Sequence, residues 1–175
     1  MNIFFLDENP RIAAQSLCDK HVVKMVLETA QMCCTAMQLN FELTPLPSTY
    51  KPAFVNHPMT KWVGETDENM NWALLHGICI GDEYTYRYGK KHKSQQVLLD
   101  IQDHYFPILN DLFYYNRYGI EISEPPLCVP DHCTAGPGGY RMNYVDVYRK
   151  YYNLHKSHLF TYTNRDKPEW LQKLD

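Results

Sequence analysis

The chain has 175 residues, six cysteines and a formal net charge of −3. That length suits one domain with a proper core. The cysteines show neither a disulfide framework nor a paired zinc-ribbon spacing, and the slight acidity argues against a protein whose main business is gripping a polyanion. The opening run Met1-Asn2-Ile3-Phe4-Phe5-Leu6-Asp7 lacks a basic n-region, and no apolar stretch is long enough for a bilayer. The expectation is an ordered, soluble, intracellular protein with no membrane partner.

In chain order, residues 2–6 are the one strand candidate. Asn9 before Pro10 reads as an N-cap with proline at the first helical position, which predicts a short helix over 10–17. A bend near Asp19 leads into a long helix ending near Leu39. Pro45, Pro47, Pro52 and Pro58 make 40–58 a loop. A second long helix is predicted from about Met59, with Asn69, Trp72, His76, Cys79 and Glu83 recurring on one side, turned toward the first long helix. His76 there reads as a core histidine before it reads as a ligand. A third helix is predicted over 94–105, with Pro107 starting or kinking a further turn or helix through about Asn116.

Residues 118–140 have no period. Four prolines and Gly136, Gly138 and Gly139 make this the longest irregular connection, of the kind that often carries function. The Gly136-Pro137-Gly138-Gly139 run lacks the lysine and hydroxyl of a phosphate-binding loop and reads as a turn. A last helix fits 142–155, burying Tyr144, Val147, Tyr148, Tyr151 and Tyr152 and exposing Arg149, Lys150 and Lys156. The prediction is a mostly α, single-domain helical bundle spanning 1–175, with long irregular connections and little or no strand.

One pattern within the first long helix stands apart. His21, Lys24, Glu28 and Gln31 are spaced three, four and three apart and so share a face, while Val22, Val23, Met25, Val26 and Leu27 crowd around them. A surface helix separates its apolar stripe from its charges. A narrow polar seam in an apolar helix suggests the floor of a buried cleft, where a carboxylate and an ammonium are kept for chemistry more readily than for stability. The plainer alternative is a solvated Lys24–Glu28 pair. Vicinal Cys33 and Cys34 on the same helix read as core.

Charge is unevenly spread. Residues 1–83 carry five Lys or Arg against ten Asp or Glu, whereas 87–93 hold four basic residues and no acid, and 141–173 hold seven basic against three acidic. The two basic regions can form one face opposite an acidic one, or be a solvated helix end and a charged tail.

The run Asp19-Lys20-His21-Val22-Val23-Lys24-Met25-Val26-Leu27-Glu28-Thr29-Ala30-Gln31 resembles the helix of small proteins classed as pyrimidine-dimer DNA glycosylases. Asn56-His57-Pro58 ahead of Lys61-Trp62 is similar to that family's Asn-His-Pro motif before a tryptophan. Gly77-Ile78-Cys79 through Glu83 and Arg87-Tyr88-Gly89 resembles its next helix and basic turn. The resemblance covers residues 1–93 and leaves 94–175 as additional helices, loop and basic tail. More distantly, Asp19, His21 and Glu28 are similar in spacing to the phage endonuclease V type.

That resemblance implies an amine that attacks the sugar carbon C1′, expels a damaged or modified pyrimidine and forms an imine, with lyase activity to follow. It places the proton-handling glutamate on Glu28. The α-amine suits the task, because a reference pKa of about 7.7–8.0 leaves a neutral fraction at neutral pH. Asn2 is bulky enough to keep Met1 in place, so the amine would be that of Met1. Lys24, if desolvated among valines, is a second candidate. Asp19 and His21 would orient the helix, the sugar or a phosphate. Lys24, Lys61 and Arg87 are candidate phosphate contacts, and Trp62 or Trp72 candidate stacking surfaces for a displaced base. Asn56, His57 and Glu83 would complete the cleft, with Gln31 at its end.

The expected partner is DNA or a nucleotide, and no cofactor or metal is called for. A zinc site is geometrically conceivable from Cys128, Asp131, His132 and Cys133 with His155 and His158, although no paired Cys-x-x-Cys supports one. The alternative functions are a transferase or hydrolase on a modified nucleotide, or a nucleic-acid-binding accessory protein without catalysis.

Overall fold

The computed structural model of the chain describes residues 2–106 and 121–171. Its helices are α1 (Pro10–Gln15), α2 (Asp19–Leu39), α3 (Pro58–Val63), α4 (Asp67–Tyr88), α5 (Lys93–Tyr105) and α6 (Tyr144–Lys156). There is no strand among the described residues, and the fold is mostly α. Met1 and the predicted turn or helix from Pro107 through Asn116 lie outside the described residues, as does the end of the basic tail.

Helix starts follow local chemistry. The Asn9 side chain accepts the Arg11 and Ile12 amides ahead of Pro10 at the first helical position, as its spacing predicts. Thr66 caps α4 by accepting the Asn69 amide, and Asn143 caps α6 by accepting the Asp146 amide. α4 ends at Gly89, whose φ of 65° places it in the left-handed region that favours glycine.

The predicted continuous helix from Met59 is two helices, a correction with a local cause. α3 stops at Gly64, where a side chain would collide with Asn40, and Thr66 then opens α4 as a fresh N-cap. Within α4, Gly77 permits close approach to both neighbours. A Cβ there would lie 2.6 Å from Leu98 of α5 and 2.9 Å from Thr29 of α2.

α4 packs across α1, α2 and α5, and α3 lies on α2. Through the middle of the helices runs the extended segment 2–6, which pairs with no strand and is buried throughout. Its side chains nevertheless alternate. Phe4 stacks on His21 of α2 with ring centroids 4.6 Å apart and meets Tyr152 of α6 edge-on at 5.4 Å. Phe5 stacks on Trp72 of α4 at 4.4 Å and meets Trp62 of α3 edge-on at 5.2 Å. With no ladder partner, the segment's polar groups are met by side chains and by a local turn: Arg149 Nε donates to the Leu6 carbonyl at 2.8 Å, and the Leu6 amide to the Phe4 carbonyl at 2.9 Å. No helix among the described residues is long and apolar enough to cross a membrane.

Candidate active site

The α2 seam lies at the border between the core and the surface. His21 and Glu28 are buried, whereas Lys24, with a side chain 66% exposed, stands at the rim. Val23 and Leu27 are also exposed, at 46% and 40%. The apolar residues therefore do not enclose the seam on all sides, and Lys24 is not desolvated among valines.

Glu28 lines a polar cavity of about 200 Å³. One carboxylate oxygen lies 2.9 Å from Lys24 Nζ, and the other accepts the Asn2 amide at 3.3 Å. Asn2 is held on two further sides. Its Nδ2 donates to the Cys128 carbonyl at 3.1 Å, and its Oδ1 faces the Tyr148 hydroxyl at 3.2 Å. Phe4, His21 and Met25 line the cavity beside Glu28, and Cys128, Tyr151 and Lys156 close it from the second half of the chain.

His21 is a neutral imidazole here. Burial, helped by the positive charges of Lys156 and Lys24, pulls its pKa down to about 4. Its Nδ1 is 2.8 Å from the Tyr152 hydroxyl, which also accepts the Cys18 amide at 2.9 Å. His57 sits nearby as the cap of α3, its Nδ1 accepting the Met59 amide. Burial lowers the His57 pKa, against the opposing pull of the Glu28 carboxylate.

A second cluster takes up the other charged residues that the sequence singles out. Arg87, its side chain fully buried, donates to Glu83 at 2.7 Å, to Asp19 at 2.9 Å and to the Gln15 carbonyl at 3.1 Å. Arg165 binds both Glu83 oxygens, at 2.8 and 2.6 Å. Asp19 also accepts the amide and hydroxyl of Thr163. Burial pushes the Asp19 pKa up, but those Thr163 hydrogen bonds and the Arg87 guanidinium outweigh it and hold the group below its ordinary value.

The predicted cleft is thus divided. His21, Lys24 and Glu28 come together, whereas Glu83, Arg87 and Asp19 form a separate ion cluster with no cation left over for a phosphate. Trp62 and Trp72 are not placed to stack on a displaced base. Both are buried, with indole N–H groups donating to the Ser123 and Glu8 carbonyls, and Trp72 is sandwiched between Phe5 and His76. Asn56 and Lys61 are exposed and Gln31 is half-buried, and none of the three lines the cavity.

Asn2, Tyr151 and Lys156 are cavity residues that sequence reasoning passes over. The one signal for Asn2 is an amide side chain at the head of an otherwise apolar buried run. Tyr151 and Lys156 give none, since the register of α6 alone assigns them to core and solvent.

A larger cavity of about 790 Å³ lies against α6, lined in part by Tyr140, Arg149, Lys150 and Trp170. Its cations are committed, Lys150 to the His132 and Ala135 carbonyls and Arg149 to Leu6 and Asp7. The smaller cavity is therefore the stronger chemical candidate. No model of a known protein family, no curated protein and no solved structure matches the chain.

Proposed function

We propose that the Glu28 cavity is the active site of an enzyme that breaks an N-glycosidic bond in DNA or a nucleotide, in the manner of the pyrimidine-dimer glycosylases that residues 1–93 resemble. The observation that supports it is the Glu28 carboxylate itself, held in a small polar cavity between the Asn2 amide and the Lys24 ammonium. With room for roughly half a dozen waters, the cavity takes a group the size of one sugar or base and leaves the rest of a polymer outside.

In the proposed reaction, the lone pair of the neutral Met1 amine forms a bond to C1′, Lys24 being too solvated to lose its charge. The N-glycosidic bond breaks, and its electron pair departs with the base, which takes up a proton. Glu28 accepts the proton that the amine gives up. The C1′–O4′ bond then opens, its electron pair leaving on O4′, which takes that proton back from Glu28, and the opened sugar remains as a cationic imine beside the carboxylate. Lys156 on the opposite wall is the phosphate contact.

A second reading uses the same carboxylate without an imine, as a base toward water or an acceptor on a modified nucleotide. The neutral His21 imidazole beside Glu28 supports it.

Borohydride trapping on oligonucleotides carrying an abasic site or a pyrimidine dimer, followed by peptide mapping, tests the proposal. The expected result is a covalent adduct on the Met1 peptide, with Glu28→Gln slowing base release by about 10²–10⁴-fold. Base release without an adduct shifts the assignment to direct hydrolysis or transfer. Salt-sensitive binding with no release of any base leaves a binding protein and removes the enzyme.

A further inference from the structure

The single 3-10 turn Asp131–Cys133 lies against the last turn of α6 and brings three metal-binding side chains together. The ligand atoms of His132, Cys133 and His155 all lie within 4.8 Å of one another, and the two imidazole Nε2 atoms are 2.8 Å apart. Zinc–nitrogen bonds of about 2.0–2.1 Å and a zinc–sulfur bond of about 2.3 Å at tetrahedral angles require N···N near 3.3 Å and N···S near 3.6 Å. The imidazoles need to part by about half an ångström, and the sulfur to close by about 1.2 Å at most. Both shifts are within the reach of side-chain rotation.

We propose that His132, Cys133 and His155 form a zinc site with three protein ligands and a fourth position for water. The donor set is the chemical reason, because one thiolate with two imidazoles suits zinc and is unsuited to magnesium or calcium. The backbone around it is already tied down. Lys150 of α6 donates to the His132 and Ala135 carbonyls, each at 2.7 Å. The turn is closed by the Cys133 amide on Pro130 at 2.9 Å and the Thr134 amide on Asp131 at 3.0 Å. Cys133 is buried and His132 exposed, so the cluster lies at the border between core and surface.

The structure narrows the six residues that the sequence offers for a metal. Cys128 belongs to the wall of the Glu28 cavity, and neither Asp131 nor the exposed His158 is in the cluster. The zinc site and the cavity are distinct but adjoin through Tyr151, whose ring lies 5.2 Å from that of His155. A bound ion would fasten the loop that carries Cys128 to the helix that carries Tyr151 and Lys156, and so fix one wall of the cavity.

Metal analysis of the purified chain grown with added zinc, and titration of the chelator-stripped protein with Co²⁺ and then Zn²⁺, test this site. One zinc per chain is expected, with tetrahedral d–d bands and a sulfur-to-cobalt charge-transfer band in the Co²⁺ form. Cys133→Ser should abolish the charge-transfer band. His132→Gln, at an exposed side chain whose loss leaves the helical circular dichroism intact, should weaken zinc binding by roughly tenfold or more. No retained zinc together with no charge-transfer band overturns the proposal. So does zinc binding that is unchanged in both variants.

Discussion

Two glutamates on buried helices show how partners decide a carboxylate's role. Glu83 is enclosed by the guanidinium groups of Arg87 and Arg165, with every partner supplied by the protein. Glu28 has a solvated lysine at one oxygen and a backbone amide at the other, at the edge of a cavity. Removing the charge should therefore separate stability from activity. Glu83→Gln leaves Arg87 buried beside a neutral amide and should cost about 3–5 kcal/mol. Glu28→Gln breaks a pair whose lysine is mostly solvated and should cost less, on the order of 1 kcal/mol. Urea denaturation of the two variants checks the contrast, and equal losses would show that Glu28 is structural.

His76 supplies a second prediction at this scale. It is buried against Trp72 with no hydrogen-bond partner at either ring nitrogen, and burial pulls its pKa down to about 3. Below about pH 6.5 the unfolded chain takes up a proton that the folded chain refuses, so stability falls as pH drops through that window. His76 should account for about 2 kcal/mol of lost stability between pH 7 and pH 5. His76→Phe should remove most of that loss, as measured by urea denaturation at the two pH values. An unchanged pH dependence would place the effect elsewhere, His21 being the next candidate because burial pulls it down to about 4.

Among the elements, what could be read from the sequence was what depends on neighbours in the chain. The Asn9-Pro10 start of α1, the length of α2 and the positions of α5 and α6 rest on caps, prolines and a 3.6-residue period. The break between α3 and α4 depends on Asn40 standing where a side chain at Gly64 would go, a tertiary fact. The α2 half of the site was legible for the same local reason, since His21, Lys24 and Glu28 share one helical face. Their division from Glu83 and Arg87 was not, because Arg87 is claimed by Asp19 and Gln15, some seventy positions earlier, and Glu83 by Arg165, some eighty positions later. Gly77 is a related case, in which a helix-weakening residue is kept for proximity. Gly77→Val should lower stability by about 1–3 kcal/mol through overpacking against Thr29 and Leu98. A lowered urea midpoint with an unchanged denaturant slope checks this, and a neutral result would mean that the three helices can part without cost.

At the scale of the whole molecule, residues 161–165 return to the first helices and to α4. The Thr161 carbonyl accepts the Asp19 amide, Thr163 binds the Asp19 side chain, Arg165 binds Glu83, and the Tyr162 hydroxyl donates to the Ser16 carbonyl. Truncation after Leu159 removes all four and opens the Glu83–Arg87 cluster to water. The shortened chain should lose several kcal/mol and become markedly more sensitive to limited proteolysis. An unaltered melting temperature would show the tail to be ornamental.

The buried segment 2–6 also bears on how the protein is made. A ribosome delivers those residues well before their partners, and Asn2 waits for Cys128 and Tyr148, and Phe4 for Tyr152, more than a hundred positions later. Contacts of such span are slow to close. The first 93 residues could coil into helices as they emerge, but they carry only one wall of the cavity. The site comes into being only when α6 folds down over a segment translated long before it.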